Sequence, residues 1–92
     1  MKIQLHPDAD ADLDRVFAWI AKDNPITAYK MIERIENRIA PLATSGLEHM
    51  GRVGLVKGTR ELIEHPYIIV YEIHPERDEV VVLAIFHGVQ GR

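Results

Sequence analysis

The sequence predicts an α+β fold in which an N-terminal helical hairpin packs on a small antiparallel sheet, in the order β-α-α-β-β-β. Two observations predict it. The first half of the chain holds two helix starts marked by proline, and the second half holds three strand-like runs separated by short turns. Because 92 residues support one hydrophobic core, we expect a single domain spanning 1–92.

The helical hairpin follows a short strand in which Ile3 and Leu5 alternate with polar residues. Pro7 begins the first helix, because the N–H that proline lacks is unpaired at a first helical position. Its apolar stripe is Leu13, Val16, Phe17 and Ile20. Asn24 and Pro25 begin the second helix as N-cap and first residue. Its apolar stripe is Ala28, Ile32, Ile35, Ile39 and Leu42, and Pro41 should end the helix near Ala40.

A glycine-containing loop at 43–58 leads into the predicted strands 59–64, 67–73 and 79–86, which we interpret as an antiparallel meander. The last two strands are apolar on both faces, yet one helical hairpin covers only one face. Few residues follow the last strand, so we expect an outside protein partner to cover part of the second face.

Composition excludes several classes of site. The chain has no cysteine, which excludes disulfides, thiolate zinc sites and cysteine nucleophiles. No segment approaches the roughly 20 apolar residues of a membrane helix, and the N-terminus lacks the apolar core of a signal peptide, so we expect a cytoplasmic protein without a membrane partner. The net charge of −3 predicts no general attraction to nucleic acid, and we expect no sequence-specific binding to it.

Neither a metal nor a cofactor is expected. Asp8, Asp10, Asp12 and Asp14 alternate, but on a helix such positions turn by about 200° and cannot converge on one ion. The five histidines are scattered along the chain. The segment from Gly51 to Gly54 lacks the lysine and serine of a phosphate-binding loop, so we interpret it as a turn.

From His49 to Arg60 there are three basic residues and no acid, which indicates a local basic patch.

Six short motifs are spread in order along nearly the whole chain. They are Pro7 with Ala11-Asp12-Leu13, Asn24-Pro25 with Ala28, Gly51-Arg52, Gly58-Thr59-Arg60-Glu61-Leu62, Tyr67-Ile68-Ile69-Val70-Tyr71, and His87-Gly88-Val89-Gln90. Their order and spacing resemble the ParE/RelE superfamily, the toxins of type II toxin–antitoxin systems. The resemblance implies a toxin that inhibits growth and is neutralised by a cognate antitoxin, whose C-terminal segment wraps the toxin in a heteromeric complex.

Two activities share this fold, so the resemblance leaves the activity open. RelE-like members cut messenger RNA in the ribosome, and for that endonuclease chemistry the candidates here are Arg60, His87 and Lys57. RelE-like members are strongly basic and usually carry a tyrosine after the last strand. The negative net charge of this chain and the absence of a tyrosine after Phe86 therefore count against RNA cleavage. ParE-like members are not themselves enzymes and inhibit DNA gyrase, with a ParD-like antitoxin. The Gly51-Arg52 pair and residues 58–62 favour this branch; a non-toxic, antitoxin-binding module is a third possibility.

Eight residues are candidates for binding the target or the antitoxin. They are Arg52, Lys57, Arg60, Trp19, Tyr29, Met31, His87 and Arg92. Arg60 has an alternative structural interpretation as an ordinary ion-pair partner. His87 has one as a strand-end histidine bonded to the backbone, and the aromatic and methionine side chains have one as the edge of the core.

Overall fold

The computed structural model describes residues 1–89 and confirms the predicted α+β fold. Its helices are α1 (Pro7–Ala21) and α2 (Pro25–Ile39), and its strands are β1 (Lys2–Leu5), β2 (Arg52–Val53), β3 (Thr59–Glu64), β4 (Tyr67–His74) and β5 (Glu79–His87). Short 3-10 turns at Ala40–Ala43 and Pro75–Arg77 follow α2 and β4. Arg92, a predicted binding residue, lies outside the described residues.

Both helix starts are where the prolines predict them. The Asn24 side chain accepts a hydrogen bond from the backbone N–H of Thr27 at 3.1 Å, as expected of an N-cap. His6 does the same for α1, since its Nδ1 accepts from the N–H of Asp8 at 3.0 Å. At the other end of α2, Pro41 falls in the 3-10 turn that follows Ile39. Local sequence signals therefore define the hairpin.

The sheet contains the predicted antiparallel meander β3-β4-β5, but it is mixed and has five strands in the order β1-β5-β4-β3-β2. β1 pairs in parallel with β5, from Lys2 opposite Glu79 to Leu5 opposite Val82. This pairing is possible because the helical hairpin and β2–β4 supply the long crossover that parallel strands need. β2 adds two residues at the opposite edge, beside β3.

The core lies between the helical hairpin and one face of the sheet. Side chains opposite each other on neighbouring strands share a face, so Leu62, Ile69 and Ile85 form the helix-facing layer, and all are almost fully buried. The helices contribute Val16, Ile35 and Ile39 to the same core. On the other face, Ile63 is exposed and Phe86 is half-buried. Ile68, which lies between them on the same face, is only 6% exposed. The second face is therefore apolar at this level of the sheet and only partly exposed.

No helix within residues 1–89 is long and apolar enough to cross a membrane.

Candidate functional site

A groove of about 430 Å³ separates α1 from the outer edge of β5. It exists because β1 pairs with β5 only as far as Val82, and α1 packs beside the remainder of the strand. The lining residues are Asp12, Arg15, Val16, Trp19, Tyr67, Ile85, Phe86 and His87. We call this the α1–β5 groove. Its walls combine apolar and aromatic side chains with a few polar groups, which is the usual composition of a binding groove.

Asp12 connects the two walls of the groove. One carboxylate oxygen accepts the backbone N–H of Ile85 at 2.9 Å, and the other is paired with Arg15 one helical turn further along α1. Ile85 lies beyond the last residue that β1 pairs. The carboxylate thus takes the place of a strand partner for this N–H.

His87 lies in the groove at the end of β5. Its ring packs edge-on against Tyr67, with 5.7 Å between the ring centroids, and its Nδ1 accepts the backbone N–H of Val89 at 3.2 Å. Burial of Tyr67 raises the pKa of its phenol above the usual value. His87 therefore has the backbone hydrogen bond that the structural interpretation predicts, in an aromatic environment at the groove.

The three hairpin residues predicted to bind a partner differ in how far their side chains are exposed. Trp19 is 62% exposed at the groove, and the Lys22 ammonium lies 5.0 Å from the centroid of its ring. Tyr29 is also exposed and packs edge-on against Phe17. Met31, in contrast, is partly buried and packs against the hydrophobic core. Trp19 and Tyr29 offer contact surface, whereas Met31 contributes mainly to internal packing.

Arg60 fastens the loop before β2 to the sheet. Its Nε donates to the carbonyl of Gly51 at 3.0 Å and its Nη2 donates to the carbonyl of His49 at 3.1 Å. The buried Tyr71 hydroxyl accepts from the N–H of Gly51 at 3.0 Å and donates to the carbonyl of Glu48 at 2.7 Å. We call these four contacts the 48–51 clamp. Arg60 is therefore a residue that positions the loop.

Gly51 is required at the centre of the 48–51 clamp. A Cβ atom there would lie 2.7 Å from both the Tyr71 hydroxyl oxygen and the Glu61 carbonyl oxygen, well inside van der Waals contact. Beside the clamp, the Glu48 carboxylate accepts the N–H of Gly46 at 2.7 Å. The pKa of Glu48 is lowered, mainly by a hydrogen bond from its own backbone and then by that from Gly46.

Arg52 and Lys57 differ in how their charges are held. Arg52 donates through Nε and Nη2 to one oxygen of Glu61, at 3.1 and 3.0 Å. Glu61 is only 4% exposed, so this cation balances a buried carboxylate. Lys57 is exposed in the turn between β2 and β3, and its ammonium forms no ion pair within residues 1–89. Of these two cations, only Lys57 is available to a partner without breaking an internal pair.

The structure does not bring Arg60 and His87 together. Across the sheet, Arg60 on β3 pairs with Tyr71 on β4, and Tyr71 pairs with Val82 on β5. His87 is five residues beyond Val82 on β5, which is a distance of roughly 16 Å along the strand. A general acid or base must reach the reacting atom by a hydrogen bond. These two side chains therefore cannot contact one scissile phosphate in this arrangement.

Sequence reasoning missed three features of these surfaces. The hydrogen bonds that Asp12 and Tyr71 form to the backbone were not predicted, because their partners are distant in the chain. Exposed apolar residues between β2 and β3 were also missed, although apolar residues between loop glycines are a visible signal. Within residues 1–89 no cluster of three metal-ligating side chains is present.

Sequence relatives agree with this architecture. The family model described as "ParE toxin of type II toxin-antitoxin system, parDE" matches residues 3–91. A relative from Sinorhizobium fredii that bears the name "Putative toxin Y4kP" is 40% identical over 80 residues, which are 85% of this chain and 78% of the relative. Both matches span most of the fold.

Solved structures show the same fold. The chromosomal ParDE toxin–antitoxin system from P. aeruginosa matches with a TM-score of 0.81 and 26% identity, over 95% of each chain. The isolated RelE toxin of E. coli matches with a TM-score of 0.68 and 10% identity, over 94% of this chain and 82% of RelE. At that identity the RelE likeness shows the fold alone. The family model and the relatives show that this chain belongs to the ParE branch of the ParE/RelE superfamily and is a toxin of a type II toxin–antitoxin system.

Proposed function

We propose that this toxin acts in the cytoplasm by binding and inhibiting DNA gyrase without catalysing a reaction, and that a ParD-like antitoxin neutralises it. Gyrase inhibition is the activity that the resemblance to ParE-like members implies. The separation of Arg60 from His87 is the observation that carries the proposal, because it removes the cation and the acid or base of an RNase from a common site.

The state of Arg60 supports a non-catalytic role. Its guanidinium is committed to the carbonyls of His49 and Gly51, so a phosphate would have to compete with the 48–51 clamp. The net charge of −3 gives the chain no general attraction to ribosomal or messenger RNA. Both properties are consistent with a protein target.

The α1–β5 groove is the surface that we propose for the antitoxin. It is open and largely apolar, and Trp19, which is 62% exposed, is an aromatic side chain of the type that contributes strongly to protein interfaces. We expect Trp19→Ala to weaken antitoxin binding by roughly tenfold or more, and Asp23→Ala, an exposed residue at the turn after α1, to leave it unchanged.

Purified wild-type chain should be added in parallel to a gyrase supercoiling assay and to a reconstituted translation reaction. We expect loss of supercoiling with accumulation of gyrase-cleaved DNA, continued translation, and recovery of supercoiling when the cognate antitoxin is added. Translational arrest with cut messenger RNA would contradict the proposal and favour the RelE-like alternative. In that case His87→Ala should slow cleavage by about 100-fold or more.

Absence of both effects, together with tight antitoxin binding, would also contradict the proposal. It would favour the third alternative, a module that retains the antitoxin complex and has lost toxicity. The same purified protein therefore distinguishes all three functions, and its folded state is checked independently by thermal unfolding.

A further inference from the structure

Three large apolar side chains point into solvent at the turn between β2 and β3. Val53 is 76% exposed, Leu55 is 77% exposed and Val56 is 68% exposed. A single exposed apolar residue is ordinary, but three within four positions of one turn concentrate apolar surface in the way that marks an interaction site. We call residues 53–57, which include the exposed Lys57, the β2–β3 tip.

The β2–β3 tip is held in a defined shape. The N–H of Gly54 donates to the carbonyl of Thr59 at 2.8 Å. Thr59 in turn donates to the carbonyl of Val56 through its N–H at 3.1 Å and its hydroxyl at 2.6 Å. The 48–51 clamp fixes the chain that enters β2. The apolar side chains are thus presented on an ordered turn, which lowers the entropy lost on binding.

The β2–β3 tip is remote from the α1–β5 groove. β2 is one edge of the sheet, whereas the groove lies beside β5, on the other side of β4 and β3. A segment bound in the groove can therefore leave the tip exposed. Two surfaces at opposite parts of the sheet are available to two different partners.

The charge around the tip is positive although the chain as a whole is acidic. Residues 49–60 contain no acid. Arg52 is balanced by Glu61, but Arg60 donates to two uncharged carbonyls and Lys57 forms no ion pair within residues 1–89. Two positive charges therefore flank the apolar patch. The complementary surface is an apolar pocket with an acidic rim.

We propose that the β2–β3 tip is the surface with which the toxin engages its protein target, by inserting Val53, Leu55 and Val56 into an acid-rimmed apolar pocket. This inference rests on the proposed function, because it takes the target to be a protein, namely gyrase. Apolar insertion supplies the affinity, and the flanking cations orient the encounter.

The test compares Val56→Asp with Ile26→Asp. The two wild-type side chains are equally exposed, at 68%, and Ile26 is at the start of α2, where an acid suits the helix dipole. Each variant is measured for growth arrest on induction, for inhibition of purified gyrase with DNA, for binding to the cognate antitoxin, and for thermal unfolding. Leu55→Ser, with Leu55→Met as its volume-conserving control, repeats the test should Val56→Asp fail to fold.

We expect Val56→Asp to weaken gyrase inhibition by roughly tenfold or more and to abolish growth arrest, with antitoxin binding and unfolding temperature retained. Ile26→Asp should retain all four properties. Undiminished arrest by Val56→Asp, an equal loss in Ile26→Asp, or a loss of antitoxin binding by Val56→Asp would overturn the inference. So would a wild-type dimer in sedimentation that Val56→Asp dissociates, because the tip would then bind a second copy.

Failure of the gyrase proposal is distinguishable from failure of this inference. If the wild-type chain arrests growth without inhibiting gyrase, the proposed gyrase target is wrong. The growth assay of Val56→Asp then tests the tip by itself. Lost growth arrest supports the tip as the target-binding surface, and retained growth arrest overturns it. If the wild-type chain neither arrests growth nor inhibits gyrase, both proposals are overturned.

Discussion

The carboxylate of Asp12 on α1 accepts the backbone N–H of Ile85 on β5 at 2.9 Å, joining residues 73 positions apart in the chain. The contact occurs where the parallel pairing of β1 with β5 has ended. A side chain thereby satisfies a backbone donor that would otherwise face the groove at the edge of the sheet. Asp12 is consequently a tether between the helical hairpin and the strand that forms one wall of the α1–β5 groove.

Replacing Asp12 with alanine should lower the free energy of unfolding by about 1–3 kcal/mol, because the N–H of an almost fully buried residue loses its acceptor. Asp12→Asn should lose less, since its amide oxygen can still accept. The measurement is urea unfolding at neutral pH. Asp14→Ala, at an exposed position two residues later, is the matched control and should stay within about 0.5 kcal/mol of wild type. Equal effects at Asp12 and Asp14 would exclude the tether.

Arg60→Lys should loosen the 48–51 clamp. A lysine ammonium has no planar fork with which to bridge the carbonyls of His49 and Gly51 as the guanidinium does. We expect faster amide hydrogen exchange in residues 48–53 and a loss of about 1 kcal/mol of stability. Arg77→Lys, an exposed substitution, controls for the exchange of arginine for lysine.

The outcome for Arg60→Lys also separates two roles. If Arg60 acted by contacting an RNA phosphate, lysine would leave hydrogen exchange and stability unchanged and would alter only activity. If Arg60 positions the loop, the structural readouts change whether or not RNA is present.

Tyr71→Phe removes the other half of the 48–51 clamp. The hydroxyl of this fully buried tyrosine accepts from Gly51 and donates to the carbonyl of Glu48, so two backbone groups lose a partner at once. We expect destabilisation of about 1–3 kcal/mol in chemical denaturation. Tyr29→Phe, the same change at an exposed ring, should cost less than about 0.5 kcal/mol. A Tyr71→Phe protein as stable as wild type would show that the clamp does not stabilise the fold.

The helices and the meander were predictable from sequence because their signals are local. Proline with an adjacent cap defines where α1 and α2 begin, and the apolar runs give β3, β4 and β5. The parallel pairing of β1 with β5 was not predictable in the same way. Alternation identifies Ile3 and Leu5 as strand residues, but it does not specify which edge they join.

The candidate surfaces were less predictable than the fold because they depend on contacts between distant segments. Arg60 was a candidate binding residue in the sequence, but its hydrogen-bond partners are loop carbonyls that no sequence pattern specifies. Met31 was predicted to bind a partner but packs against the core. Its residue type is common both in cores and at interfaces, and only the packing of α2 shows that it contacts the core.

The phenol of Tyr67 should make stability fall in alkaline solution. Burial raises its folded-state pKa, so the neutral form is favoured more strongly in the folded chain than in the unfolded chain, where the pKa is about 10. The resulting contribution to stability is fully present below pH of about 10 and is lost as the pH rises through the raised folded-state pKa. Tyr67→Phe has no proton to lose, so its unfolding free energy should increase relative to wild type by at most about 1.4 kcal/mol per pH unit in that window.

The measurement is denaturant unfolding between about pH 8 and about pH 11, with Tyr29→Phe as the control for loss of a phenol from an exposed position. A difference between wild type and Tyr67→Phe that stays constant over this range would show that the phenol is as well solvated in the folded chain as in the unfolded one.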